Sequence, residues 1–248
     1  MRIDEQSDNG KEKGVHLSIV IPAYNEERRI AHSLERIVEY FRPKGVAYEI
    51  VVVDDASSDR TPEILKRYCA SHSQIVSLRN VKNMGKGFTT RRGMLSARGD
   101  LILFTDTDLS VPIEELDRLL IYARDGFDIV FGSRYMPDSR IVSQQTWHRR
   151  KLGRVFNYLT RFLILPQFRD TQCGFKLFRR DTAQHLFKEQ KLDGYAFDVE
   201  ILYLASRSGY RIKEVGVTWF DAPFTKIRVF RDSVRMLSDI MKIKRMHH

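Results

Sequence analysis

Short apolar runs alternate along this chain with longer stretches whose apolar positions recur every three or four residues. Leu17-Ser-Ile-Val-Ile21 reads as a strand closed by Pro22. Beyond the loop Pro22–Glu26, the positions Ile30, Leu34, Ile37, Val38 and Phe41 share one helical face. They predict a helix from Glu26 to Phe41, capped by Asn25 and ended by Pro43 and Gly45. Tyr48–Val53 is a second strand, and Pro62 opens a helix reaching about Ser71. Ile75–Leu78 is a short strand; Asn83–Gly87 is a turn before a helix to about Arg98. Four strand–helix alternations in about a hundred residues predict a mostly parallel, doubly wound sheet with helices on both faces.

The second half keeps the alternation less regularly. A helix is expected over Pro112–Arg124, a strand over Phe127–Phe131, helices over Asp181–Phe187 and Phe197–Ser208, and a strand over Arg211–Thr218. Residues 135–169 are basic and aromatic, with His148-Arg-Arg-Lys151 followed by the apolar run Val155–Leu165. From Val229 to Met246 apolar and basic residues interleave as in an amphipathic helix. This divides the chain into a polar leader, 1–14, an α/β domain, 15–228, and a basic C-terminal helix, 229–248, in which no role falls to His247-His248.

The chemistry concentrates where Leu101-Ile-Leu-Phe-Thr runs into Asp106-Thr-Asp108. An unalternating apolar run is a strand buried on both faces. Side chains two apart on a strand point the same way, so Asp106 and Asp108 converge just past its carboxyl end. Open α/β sheets bind ligands at that edge. Two convergent carboxylates suit Mg²⁺ or Mn²⁺, which keep open positions for phosphate oxygens. The plainer reading is a solvated strand-end turn, and the remaining motifs decide between them.

Charge narrows the partners. The chain has 248 residues and a formal net charge of +10, which favours a polyanion: nucleic acid, an acidic membrane surface or a phosphorylated substrate. Its two cysteines, Cys69 and Cys173, form no spaced framework and read as packed thiols of a reducing compartment. No stretch reaches the roughly 20 apolar residues that span a bilayer. A Gly-x-Gly-x-x-Gly turn after the first strand and a Gly-Lys-Ser/Thr phosphate loop are both missing, which disfavours nicotinamide, flavin and P-loop enzymes.

Six motifs stand in one order: Pro22-Ala-Tyr-Asn-Glu26, Asp54-Asp-Ala-Ser-Ser-Asp-Arg-Thr61, Asn83-Met-Gly-Lys-Gly87, Asp106-Thr-Asp108, Gly132-Ser-Arg134 and Asp170-Thr-Gln-Cys-Gly-Phe-Lys176. The set resembles the inverting GT-A fold glycosyltransferases of family 2, and more narrowly the polyprenyl- and dolichyl-phosphate hexose synthases. The resemblance covers about residues 16–228. The wording of 170–178, Phe197-Asp-Val-Glu-Ile-Leu202 and Ile212–Trp219 is similar to the dolichyl-phosphate glucosyltransferase branch. Ser110 stands where the mannosyl branch usually has Gln. One departure is Ala56, where the second motif usually has Gly.

The resemblance implies a nucleotide-sugar donor, UDP-glucose by branch, and a polyprenyl or dolichyl phosphate acceptor. Pro22, Ala23, Tyr24 and Glu26 would line the base and ribose. Asp54 would accept a hydrogen bond from the base, with Asp55 as a helix cap. Lys86 would touch the donor phosphates, and Asp106 and Asp108 would hold Mg²⁺ or Mn²⁺ as the clamp on the leaving diphosphate. A lipid phosphate needs orientation more than a strong base, because its second pKa lies near ~6; arginine supplies that orientation bidentately. Arg134, then Arg149 or Arg150, are the acceptor-phosphate candidates, although Gly153 replaces a hydroxyl residue usual in relatives. Asp170 and Gln172 would shape the sugar or acceptor pocket, Asp170 being the only candidate base. Asp198 and Glu200 would reach sugar hydroxyls or serve as caps or salt bridges.

The expected setting is the cytoplasmic face of a membrane, bound peripherally, with a membrane-anchored partner or a homo-oligomer as further possibilities. Val155–Leu165 and Val229–Met246 would dip into the interface, or pack on the core or a partner. Competing readings are a GDP-mannose-dependent mannosyltransferase, a family 2 transferase with a non-lipid acceptor, and a basic nucleic-acid-binding protein. The last is disfavoured because the basic residues are spread over several elements without a recognition motif. A membrane adaptor that kept the fold without the chemistry would not need the intact motif set.

Overall fold

The computed structural model describes residues 16–142, 160–221 and 229–247, with only the backbone for 229–235. The leader, Arg149, Arg150, residues 155–159 of the apolar run and His248 lie outside them. Seven strands form the main sheet. They are β1 (Leu17–Ala23), β2 (Tyr48–Asp54), β3 (Ile75–Arg79), β4 (Leu101–Thr105), β5 (Ile129–Ser133), β7 (Phe175–Arg179) and β8 (Ile212–Gly216). Their order is β3-β2-β1-β4-β7-β5-β8. All pairings are parallel except those of β7, which runs antiparallel to both β4 and β5. Two short strands, β6 (Arg140–Ile141) and β9 (Thr218–Trp219), pair separately.

Alternation along the strands divides the core in two. Ile19 and Ile21 of β1 and Ile50 and Val52 of β2 face one side. There they meet Ile30, Leu34 and Ile37 of α1 (Ile30–Phe41), Ile64 and Leu65 of α2 (Thr61–Ser71), and Leu116 and Leu119 of α4 (Leu116–Arg124). Val20, Val51 and Val53 face the other side. That side carries Met94 of α3 (Lys86–Ser96), Leu186 of α5 (Arg180–Glu189), Phe197 of α6 (Phe197–Arg207), and Ile240 and Ile243 of α7 (Val229–Met246). Full burial of one such side chain is worth roughly 1.5–3 kcal/mol. The expected doubly wound sheet is therefore present.

Several boundaries differ from expectation. The first helix begins at Ile30, not Glu26, and Asn25 is not its cap. Asn25 takes the left-handed conformation, φ 53°. Its backbone N–H donates to Ser57 Oγ at 2.8 Å, and its Oδ1 accepts from Ser58 N at 2.8 Å. It ties the loop after β1 to the loop after β2 instead of opening a helix. The helix expected from Pro112 starts as a 3₁₀ turn, Ile113–Glu115. Strand β7 was not anticipated. The strand expected over Arg211–Thr218 divides between β8 and β9.

Most of the described apolar residues of α7 pack on protein. Ile240 and Ile243 are fully buried, and Met236, Leu237 and Met246 pack against the same cluster. Met241 remains exposed. In the other candidate interface segment, Leu165 is buried and Phe162 is 75% exposed. Among the described residues no helix is long and apolar enough to cross a membrane.

The order of connections positions the site. From β1 the chain winds outward through α1 to β2 and α2 to β3. It then returns on the opposite face through α3 to β4, on the other side of β1. The crevice between the carboxyl ends of β1 and β4 is thus a topological switch point, where such sheets bind ligands. Thr107 Oγ1 donates to the Pro22 carbonyl across it at 2.7 Å.

Candidate active site

A cavity of about 830 Å³ opens at this crevice. Pro22, Ala23, Tyr24 and Glu26, the base and ribose candidates, are among its lining residues. Tyr24 is 40% exposed. Lys86, Asp106 and Asp108 line the same cavity. Lys86, the first residue of α3, places its ammonium 2.6 Å from Asp106 Oδ1. Burial alone lowers the lysine's proton affinity, but the Asp106 and Asp198 carboxylates more than offset this and hold it charged above the ordinary lysine range.

Asp108 caps its own turn, accepting from Ser110 N at 3.0 Å, with Arg29 Nη1 at 3.7 Å. Burial, then the adjacent Asp106 charge, push its carboxyl above the usual range, against the Ser110 hydrogen bonds and Arg29. Two carboxylates that repel each other in a half-buried cleft are a fit for a divalent cation. Among the described residues no group of three or more His, Cys, Asp or Glu could hold an ion alone. A two-carboxylate donor set that leaves the other positions to phosphate and water suits Mg²⁺ or Mn²⁺.

Asp55, expected as a helix cap, lines the cavity instead. Asp55 does not cap α2, whose Thr61 N–H is taken by Asp59 Oδ1 at 3.0 Å. Its oxygens accept from Asn80 Nδ2 at 2.7 Å, Met84 N at 2.8 Å and Gly85 N at 2.9 Å. It thereby shapes the turn that delivers Lys86, and it lines the cavity. Asp54 is buried behind it. Its Oδ1 accepts from Ser57 N at 3.0 Å; Oδ2 makes no hydrogen bond although Arg79 Nη1 stands 3.2 Å away. Asp54 is thus ion-paired to Arg79 behind the cavity wall, and Asp55 is the member of the pair that lines the cavity.

The acceptor-side candidates lie farther along the same edge. Arg134 ends β5, separated from β4 by β7, two strand spacings or about 10 Å. It forms a fork with Asp170: Nε to Oδ2 at 2.7 Å, Nη2 to Oδ1 at 2.9 Å, and backbone N to Oδ2 at 2.9 Å. Burial would raise the Asp170 carboxyl, but Arg134 outweighs it and holds the pKa below the usual range. A carboxylate so occupied is a poor base. The structure makes Asp170 the holder of Arg134, in place of the expected residual base. Arg149 lies outside the described residues.

With this geometry in hand, comparison with known proteins decides the family. The glycosyl transferase family 2 model matches residues 18–187. The chain belongs to glycosyl transferase family 2. This transferase is 34% identical over 242 residues to the dolichyl-phosphate beta-glucosyltransferase of Dictyostelium discoideum, covering 93% of the chain and 74% of that relative. In structure it is similar to mannosyl-3-phosphoglycerate synthase from Rubrobacter xylanophilus, with TM-score 0.69 and 20% identity over 94% of this chain and 76% of that one. It is also similar to glucosyl-3-phosphoglycerate synthase from Mycobacterium tuberculosis in complex with Mn²⁺ and UDP-glucose. That match has TM-score 0.62 and 18% identity over 92% and 77% of the two chains. At such identities the structures establish the GT-A fold alone. The expected family, fold and enzyme class are all found.

Other residues of the transferase have roles the sequence did not disclose. Asp198 and Glu200 take the alternative role, as salt-bridge and hydrogen-bond partners. Asp198 meets the buried Lys176 ammonium at 2.5 Å, and Glu200 accepts from Lys191 N at 2.8 Å and Leu192 N at 2.9 Å. Cys173 is buried, and burial pushes its thiol up to about 12, so it is packing. Arg29 went unnoticed as an i+3 partner of Glu26, gripping it at 2.7 and 2.8 Å while facing Asp108. Asp193, Gly194 and Tyr195 form another wall of the cavity, and the Asp193 carbonyl accepts from Gly87 N at 2.8 Å at the start of α3. Only the spacing of Glu26 and Arg29 was visible as a signal.

Proposed function

We propose that this transferase moves glucose from UDP-glucose to dolichyl or another polyprenyl phosphate, with inversion at the anomeric carbon. The observation that carries the reading is the convergence of Lys86, Asp106 and Asp108 at the β1/β4 switch point, in one cavity with Tyr24. The printed names of the relatives supply the substrate class: dolichyl-phosphate beta-glucosyltransferases in sequence, and a UDP-glucose complex in fold.

Tyr24 and the backbone of Pro22–Ala23 bind the base and ribose. Asp106 and Asp108 would hold Mg²⁺ or Mn²⁺, which when bound would supply Lewis-acid compensation for charge on the diphosphate. Lys86 brings a second positive charge to the same diphosphate. Arg134, braced by Asp170, orients the acceptor phosphate. A phosphate oxygen bonds to the anomeric carbon from the side opposite the diphosphate. The bond from that carbon to UDP breaks, and the electron pair leaves with UDP. No strong base is required, because the phosphate is already largely deprotonated at neutral pH. The net charge of +10 favours work at an anionic membrane surface, for which the cytoplasmic face is our reading.

The test is transfer of labelled sugar from UDP-glucose, and in parallel GDP-mannose, to a short polyprenyl phosphate with Mn²⁺, using Asp108→Ala as control. Lipid-linked glucose, absent with the variant, is expected. Product from GDP-mannose alone would replace the donor and keep the mechanism. UDP release without lipid product would replace the acceptor.

A further inference from the structure

We infer that Asp239 of α7 is a sugar-recognising residue that separates nucleotide sugar from bare nucleotide. The inference rests on the reading of the cavity as a nucleotide-sugar site. Asp239 and Met236, one turn apart, line the same cavity as Lys86, Asp106 and Asp108. They enter it from the face that carries α3 and α6, beside the wall formed by Asp193–Tyr195.

The helix that presents them is firmly seated. Ile240 and Ile243 on its inner side are fully buried. At its end His247 Nε2 stands 2.7 Å from Glu200 Oε1, and Glu200 also accepts from the backbone of Lys191 and Leu192. Lys191 Nζ donates to the Met246 carbonyl. The helix end and the start of the 191–195 wall are thus bound into one unit, so the position of Asp239 is set by the fold.

Chemistry assigns its ligand. The Asp239 side chain is 18% exposed, and Lys242 Nζ reaches only Oδ1, at 3.2 Å. Among the described residues Oδ2 has no hydrogen-bond partner. A carboxylate repels a diphosphate, which already finds Lys86 in the cavity. It accepts hydrogen bonds from hydroxyls, and the part of the donor that offers several to an acceptor-only group is the hexose. A hydroxyl bonded to a largely desolvated charge gives discrimination against a ligand that lacks it. Met236 beside it supplies an apolar surface for the C–H face of the ring.

The experiment titrates UDP and UDP-glucose, each with Mn²⁺, into wild type, Asp239→Asn and Asp108→Ala by calorimetry, with thermal melts to verify folding. Asp239→Asn should leave the Kd of UDP within about twofold and raise the ratio of Kd for UDP-glucose over UDP by about tenfold. KM for UDP-glucose should rise with it. An unchanged ratio, or equal weakening of both ligands, would overturn the proposal. If wild type binds GDP-mannose and not UDP-glucose, the donor reading fails by itself. The same ratio is then taken for GDP-mannose over GDP, where a tenfold rise supports Asp239 and an unchanged ratio rejects it.

Discussion

Gly174 makes room for Asp106. A β-carbon at residue 174 would lie 2.1 Å from Asp106 Oδ2 and 2.5 Å from its Cγ. The two residues are also joined through the backbone, Asp106 N to the Gly174 carbonyl at 3.2 Å. The carboxylate is therefore held between Lys86 on Oδ1 and the bare Cα of Gly174 under Oδ2.

Gly174→Ala should displace the Asp106 carboxylate while the strands around it stay paired. A misplacement of about 1 Å costs on the order of 10²-fold in rate. The expected outcome is a loss of that size in kcat/KM for transfer, with weaker Mn²⁺ binding and a melting temperature close to wild type. A fall in melting temperature matching the loss of activity would assign Gly174 to folding alone.

Chelation should act as Asp108 substitution does. EDTA should stop transfer, and Mn²⁺ or Mg²⁺ should restore it. Asp108→Asn should lower turnover by roughly 10²-fold or more, the scale of losing one charge-stabilising group. Excess metal should not rescue it. Rates measured with and without chelator, in wild type and variant, test both halves.

The Arg134–Asp170 pair makes stability depend on pH. Arg134 depresses the Asp170 pKa in the folded state, so the folded protein binds fewer protons than the unfolded chain below the unfolded value of ~3.9. The contribution is complete above that value and is lost as pH falls through the folded pKa. Asp170→Asn leaves Arg134 without its buried partner and should cost about 3–5 kcal/mol at pH 7. Urea midpoints should show the gap between variant and wild type holding down to about pH 4 and closing below it.

Ala56 carries backbone strain where the family pattern usually has glycine. It takes φ 57°, the left-handed region. An L-residue there costs roughly 1–2 kcal/mol, partly recovered from the smaller entropy of the unfolded alanine chain. Ala56→Gly should therefore stabilise the protein by about 0.5–1 kcal/mol. For a domain of this size that is about 2–4 °C per kcal/mol in melting temperature, readable by calorimetry.

The sequence by itself determined the strands and helices of the first half, the doubly wound class and the place of Asp106 and Asp108. Those features follow from periods of 2 and 3.6 residues and from side chains two apart on one strand, all of them local. It did not disclose β7. Lys176 interrupts the apolar pattern of Phe175–Phe178, and its charge is explained only by Asp198, which comes from a helix 22 residues on. Nor does local sequence show that β7 inserts antiparallel between β4 and β5, because both partners are remote in the chain.

Only the tertiary structure decided which members of each motif face the cavity. Asp54 and Asp55 are neighbours at a strand end, and their directions were settled by Arg79 and by the 83–85 turn. Arg134 and Asp170 were two separate candidates until β5 and the start of β7 met at one sheet edge. Asp239 belonged to a helix whose spacing fitted a membrane surface equally well. Its entry into the cavity depends on Ile240 and Ile243 docking against the sheet's helical layer, a long-range choice made by burial of apolar surface and not by any local pattern.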